Sequence, residues 1–120
     1  MTKELWRIAA EAADAKKADG IVVLDTQEIS SVTDYMIVCE GNSVRHVRTI
    51  ADAVEEAVAR EGRKIYGREG KREDRWVLLD LGTVVVHVLT PRDRVFYNLE
   101  RLWSQAVPVP FEPHVAAEAS

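Results

Sequence analysis

Apolar residues recur along the chain either at helical spacing or in short, nearly unbroken runs. From residue 2 to 18, Leu5, Ile8, Ala9, Ala12 and Ala15 fall on one side of a 3.6-residue repeat, with Thr2 placed as N-cap and Asp19-Gly20 as the stop. That spacing predicts an amphipathic helix. Ile21-Val22-Val23-Leu24 is an unbroken apolar run ending at Asp25, the pattern of a strand covered on both faces, and residues 35 to 40 form a second. Between them, Ser30, Ser31, Thr33 and Asp34 carry side chains that bond to nearby backbone, so Thr26 to Asp34 reads as an ordered loop. Gly41-Asn42-Ser43 then introduces Val44, Val47, Ile50, Ala51, Val54 and Val58, the clearest helical stripe, closed by Glu61-Gly62. A further strand is expected at about 64 to 68. Paired in parallel with 35 to 40, it makes the helix a right-handed crossover.

Trp76 to Asp80 and Val84 to Leu89 are two more strands, joined through Leu81-Gly82-Thr83 in a tight hairpin. Thr90-Pro91-Arg92-Asp93 supplies an N-cap, a proline at the first helical position and an acid at the third, and opens a helix bearing Val95, Phe96, Leu99, Leu102 and Trp103. The prolines of Val107-Pro108-Val109-Pro110-Phe111-Glu112-Pro113 forbid a helix, so this tail is extended, packing through Phe111 or trailing free. Residues 114 to 120 are expected to be disordered. The pattern is that of one α/β domain over residues 1–106, a mixed sheet of about five strands flanked by helices, followed by a tail at 107–120.

A chain of 120 residues, 47% hydrophobic and 30% charged, supports one core and excludes a second. Sixteen Lys and Arg against twenty Asp and Glu give −4, which argues against a general DNA-coating protein. From Arg60 to Arg75, however, seven basic residues face four acidic ones. This local excess suits a partner that mixes protein with phosphate backbone, such as RNA, although an exposed charged connector has the same composition. Cys39 is the one cysteine, so no disulfide forms within the chain and no CxxC metal site exists. A cytoplasmic setting fits. No apolar run nears the ~20 residues of a membrane span.

Of the groups able to carry chemistry, His46 lies beside the apolar stripe of its helix and reads as a solvated surface residue, and His114 lies in the tail. His87 interrupts the apolar strand Val84 to Leu89 and must find a partner or face outward. With Leu81-Gly82 as a two-residue turn, Trp76, Leu78, Asp80, Thr83, Val85 and His87 share one face, with Trp76 opposite His87. That face is a mixed aromatic, apolar and charged patch of the kind that binds proteins, while the other is uniformly Val and Leu. A three-residue turn instead places His87 and Val85 with Val77 and Leu79 in the core. Gly41-Asn42-Ser43 precedes a helix and is either a phosphate cradle or an N-cap. An enzymatic alternative would use that turn with Asp25, Asp34 or Asp80 on a nucleotide; a third reading is a generic dimeric adaptor.

Five strings taken together resemble the ribosomal silencing factor family, also called Iojap-like: Ser30-Ser31-Val32-Thr33-Asp34-Tyr35-Met36-Ile37-Val38, Gly41-Asn42-Ser43, Trp76-Val77-Leu78-Leu79-Asp80-Leu81-Gly82, Val84-Val85-Val86-His87-Val88 and Phe96-Tyr97-Asn98-Leu99-Glu100-Arg101-Leu102-Trp103. The match runs from about residue 3 to 104. The resemblance implies a nucleotidyltransferase-like fold and a protein that is often a homodimer. It implies binding to the large ribosomal subunit at ribosomal protein fourteen, which blocks joining of the small subunit and represses translation when nutrients are scarce. Nucleotidyl transfer needs paired carboxylates for its metals, and no DxD occurs here, so a binding role without catalysis, cofactor or metal is expected. Carried over as partner-binding residues are Trp76, Leu78, Asp80, Leu81, Gly82 and His87, with Arg68, Glu69 and Gly70 from the preceding turn and Tyr97 and Glu100 from the last helix. Leu81 stands where the family often has an aromatic residue, and Thr83 where it often has an acid.

Overall fold

The computed structural model describes residues 3–97 and 105–113. Its elements are α1 (Leu5–Ala15), β1 (Asp19–Asp25), β2 (Tyr35–Glu40), α2 (Val44–Arg60), β3 (Gly67–Lys71), β4 (Trp76–Asp80), β5 (Val84–Leu89), α3 (Pro91–Tyr97) and β6 (Val107–Val109). The strands form one six-stranded mixed sheet in the order β3-β4-β5-β2-β1-β6, in which only β2 and β5 run parallel. This is the expected α/β architecture with one strand more.

Four expectations change. The parallel partner of β2 is β5, not the strand after α2. β3 begins three residues later than anticipated and pairs antiparallel with β4 at the sheet edge, so the crossover from β2 to β5 contains α2, β3 and β4 together. A five-residue strand reading Gly-Arg-Glu-Gly-Lys has no apolar alternation, and only its neighbour's pairing reveals it. The sixth strand comes from the tail: Val107–Val109 pair with Val23–Asp25 of β1, and Phe111 packs on the core. Proline is admissible there because β6 is an edge strand. The helix expected at 2 to 18 spans Leu5–Ala15, with Glu4 in the cap position. Its buried side includes Trp6, Ala10 and Ala13, while Ala15 is exposed. The continuation of the last helix past Tyr97 and the disorder expected at 114–120 lie outside the described residues.

Helices α1 and α2 cover one face of the sheet. Their apolar stripes meet Val23, Ile37, Cys39, Val77, Leu79, Val84, Val86 and Val88 in the main core. Cys39 is fully buried there, and burial pushes its thiol up to about 12. On the opposite face a smaller cluster of Leu24, Met36, Val38 and Leu89 is bordered by Val22, Trp76 and Ala106.

The β2–α2 junction explains Gly41-Asn42-Ser43 structurally. A Cβ on Gly41 would stand 2.8 Å from the Val47 amide nitrogen, so only glycine lets the helix start this close to the sheet. Ser43 Oγ accepts the His46 amide at 3.1 Å as an N-cap. His46 lies at the half-buried surface, but its ring is bonded to the protein at both nitrogens. Its Nδ1 accepts the Asn42 amide at 2.9 Å, so the proton sits on Nε2, which donates to the Lys16 carbonyl at 2.8 Å and ties the end of α1 to the start of α2.

Candidate partner-binding face

The β4–β5 hairpin turns on Gly82-Thr83, one residue beyond the expected Leu81-Gly82. The Leu81 amide donates to the Val84 carbonyl at 2.9 Å, and Gly82 has a φ of 90°, which suits glycine. The pairs are therefore Trp76↔Leu89, Leu78↔His87 and Asp80↔Val85. Parity is unchanged by this slide of two, so Trp76, Leu78, Asp80, Val85 and His87 do share a face, and the three-residue alternative is excluded. Two details are corrected. His87 stands opposite Leu78 and only diagonal to Trp76, and Thr83 belongs to the turn rather than to the face.

Trp76 is half-buried and held from two sides. Its indole N–H donates to His87 Nδ1 at 3.0 Å, and the Lys71 ammonium lies 4.7 Å from the ring centroid. His87 is only 4% exposed. Burial, and then the charge of Lys71, lower its pKa from 6.5 to about 4, so at neutral pH the ring carries no charge and Nδ1 keeps the lone pair that the indole needs. Leu78 and Val85 are half-buried beside this pair. Asp80 is half-buried, and its Oδ1 accepts the Gly82 amide at 2.9 Å, fixing the turn.

Pairing of β3 sorts the remaining candidates. Glu69 lies opposite Leu78 and Lys71 opposite Trp76, on the same face as the tryptophan. Arg68 lies opposite Leu79 and points the other way, donating to Asp52 at 2.6 Å and Glu55 at 2.7 Å on α2. Burial opposes its charge, but the two carboxylates outweigh that and raise its pKa. Gly70, opposite Val77, makes room for Asp74, whose carboxylate would collide with any Cβ there. Asp74 in turn accepts from Arg48 at 2.8 Å and anchors a loop in which Arg72, Glu73 and Asp74 all have positive φ. Leu81 is 2% exposed and belongs to the main core, so its side chain is not offered to a partner. Tyr97 is the last described residue of α3, and Glu100 lies outside the described residues.

The carboxylates of the enzymatic alternative are spread along one end of the sheet. Asp25 accepts the Gln27 amide at 3.0 Å, and Asp80 serves the hairpin turn. Asp25 and Asp34 flank Tyr35, whose hydroxyl is raised by burial first and then by Glu4 and these two acids. Among the described residues no group of three or more His, Cys, Asp and Glu side chains is arranged to hold a metal ion, and no helix is long and apolar enough to cross a membrane.

One residue escaped the sequence reading. Tyr66, just before β3, is 61% exposed, and its ring lies over the hairpin turn: a Cβ on Gly82 would stand 2.8 Å from its Cε2. Its amide donates to the Asp80 carbonyl at 2.8 Å, which extends the β3–β4 ladder by one bond. A lone tyrosine inside a basic run gave no periodic signal; only the hairpin geometry marks it.

A mixed six-stranded sheet, with two helices on one face and an aromatic hairpin patch on the other, defines a class of small α/β domains that other proteins share. A profile described as "Ribosomal silencing factor during starvation" matches residues 1–120. The ribosomal silencing factor RsfS of Bacillus subtilis is 45% identical over 104 residues, covering 87% of this chain and 88% of that protein. The RsfS of Halalkalibacterium halodurans is 42% identical over 110 residues, covering 92% and 94%. A crystal structure from Chromobacterium violaceum superposes with a TM-score of 0.81 at 37% identity, over 94% of this chain and 92% of that one. The chain belongs to the ribosomal silencing factor family.

Proposed function

We propose that the protein silences ribosomes by occlusion: in the cytoplasm its hairpin face docks on the large subunit at ribosomal protein fourteen, and the docked domain keeps the small subunit from joining. No chemistry is required, only enough buried surface to compete with subunit joining. About 800 Å² per partner, the usual size of a stable interface, corresponds to a hairpin face and its neighbouring loop. The observation that carries the reading is Trp76, a half-buried aromatic pinned by His87 and Lys71 beside the half-buried Leu78 and Val85. A large aromatic whose rotamer is already fixed loses little freedom on binding, as interface hot spots require.

In this reading Trp76 and Leu78 exclude water at the centre. Asp80 and Glu69, with Glu100, meet basic groups of the ribosomal protein. Gly82 permits close approach, Tyr97 adds apolar contact, and His87 acts indirectly by positioning Trp76. Arg68, Gly70 and Leu81 serve by holding β3, its loop and the turn in place. The free protein is a homodimer through the same face, so dimerisation and ribosome binding compete, and the basic stretch 60–75 reaches ribosomal RNA.

Sedimentation with separated subunits tests this. Wild type is expected to travel with the large subunit and block joining, and Leu78→Glu to do neither while melting within a few degrees of wild type. Asp80→Asn keeps an oxygen for the Gly82 amide and isolates the loss of charge. Large-subunit binding that survives Leu78→Glu would sink the proposal.

A further inference from the structure

Four hollows among the described residues differ in the charges that line them. Those lined by Glu11 and Glu61, by Glu4 and Asp34, and by Glu56 mix acidic with basic side chains. The fourth, about 370 Å³, is different. Leu5 and Leu81 floor it, Tyr66 and the Gly82-Thr83 turn wall it, and Arg63 and Lys64 flank it, with no carboxylate in the lining. Its volume lies in the range of roughly 300–1,000 Å³ typical of small-ligand sites. Among the described residues Arg63 and Lys64 make no ion pair, whereas Arg48, Arg68, Arg72 and Arg94 are each paired with an acid. The Lys64 ammonium lies 4.7 Å from the centroid of the Tyr66 ring.

These features are those of a single-stranded nucleic-acid subsite: an exposed aromatic residue, an apolar floor, and two cations beside it that no carboxylate pairs among the described residues. Lys64 occupies the ring, but an exposed cation–π contact is weaker than stacking of a base on an aromatic side chain. A base can therefore displace the ammonium, which is then free to meet the adjoining phosphate. We infer that this hollow takes an unstacked base of the large subunit's ribosomal RNA, stacked on Tyr66, with its flanking phosphates on Arg63 and Lys64. The inference rests on the docking proposal and deepens it, because Tyr66 lies directly over the hairpin turn.

The test compares two targets, isolated ribosomal protein fourteen and the intact large subunit, by fluorescence anisotropy of the labelled full-length chain. Tyr66→Ala is expected to weaken binding to the intact subunit roughly 5- to 150-fold and to leave binding to the isolated ribosomal protein within about twofold; Tyr66→Phe, which keeps the ring, should retain most of the affinity. Reversing both charges in Arg63→Glu/Lys64→Glu should lower the slope of log affinity against log salt by about 1.4 or more on the intact subunit, at roughly 0.7 per phosphate contact on a single strand. Equal weakening on both targets would make Tyr66 a protein contact and overturn the inference, as would unchanged binding of Tyr66→Ala to the subunit. Leu78→Glu separates the two proposals. If it binds normally while Tyr66→Ala does not, the docking reading fails and the RNA subsite stands.

Discussion

Acidification should destabilise this domain through one histidine. His87 is buried on β5, accepts the Trp76 indole N–H through Nδ1 and faces the charge of Lys71 across the sheet. In the unfolded chain its imidazole takes up a proton near 6.5, whereas in the folded protein burial and Lys71 delay that to about 4. Below 6.5 the unfolded state thus binds a proton that the folded state refuses. The stability His87 contributes in neutral form is complete above 6.5 and is lost as the pH falls toward 4. At about 1.4 kcal/mol per pH unit, the window is worth about 3 kcal/mol, of which about 2 to 3 kcal/mol is spent by pH 4.5. Urea unfolding at pH 7.5 and 4.5 measures the loss, and His87→Gln supplies the reference, since it keeps an acceptor for the indole and has nothing to titrate in this range. Wild type should lose about 2 to 3 kcal/mol more than the variant between the two pH values. Curves that run parallel would refute the reasoning, because they would mean that the ring titrates alike folded and unfolded.

Two further substitutions probe the frame that carries the face. Gly41→Ala places a Cβ 2.8 Å from the Val47 amide nitrogen, so the start of α2 must move off the sheet; a loss of about 1–3 kcal/mol in urea unfolding is expected, with no effect as the contrary result. Ser43→Ala removes the acceptor of the His46 amide and should cost about 1 kcal/mol by the same measurement, whereas Ser43→Asp, which restores an acceptor, should recover it.

Most of this architecture was legible because its elements are strongly periodic. The stripe from Val44 to Val58 and the apolar runs of β1, β2, β4 and β5 fall where their patterns place them. What escaped is what periodicity does not encode. β3 contains two glycines and three charged residues and exists because β4 needs a neighbour. β6 is three residues with a proline at its centre, held by pairing to β1. For the hairpin, the face was recoverable even though the turn was not, since a slide of two residues in the pairing leaves every side chain on its own side. Arg68 shows the limit in the other direction: it adjoins Glu69 in sequence but points to the opposite side, and only the ladder reveals which of the two lies beside Trp76. His46 looked solvated because a helical wheel shows one helix, while its partner, the Lys16 carbonyl, belongs to another.

Cys39 gives the protein a built-in clock. The thiol sits in β2, a strand bonded to a neighbour on each side, and is both sealed from water and held in its unreactive protonated form. Alkylation needs an exposed thiolate, so each labelling event records a moment when the centre of the sheet has come apart. Because the chain has no other cysteine, the rate at which it gains a single label in a crude extract, counted by mass, reads out how often the domain opens without purification or an added probe. Any partner that holds the sheet closed will slow that clock by the same factor as it shifts the opening equilibrium.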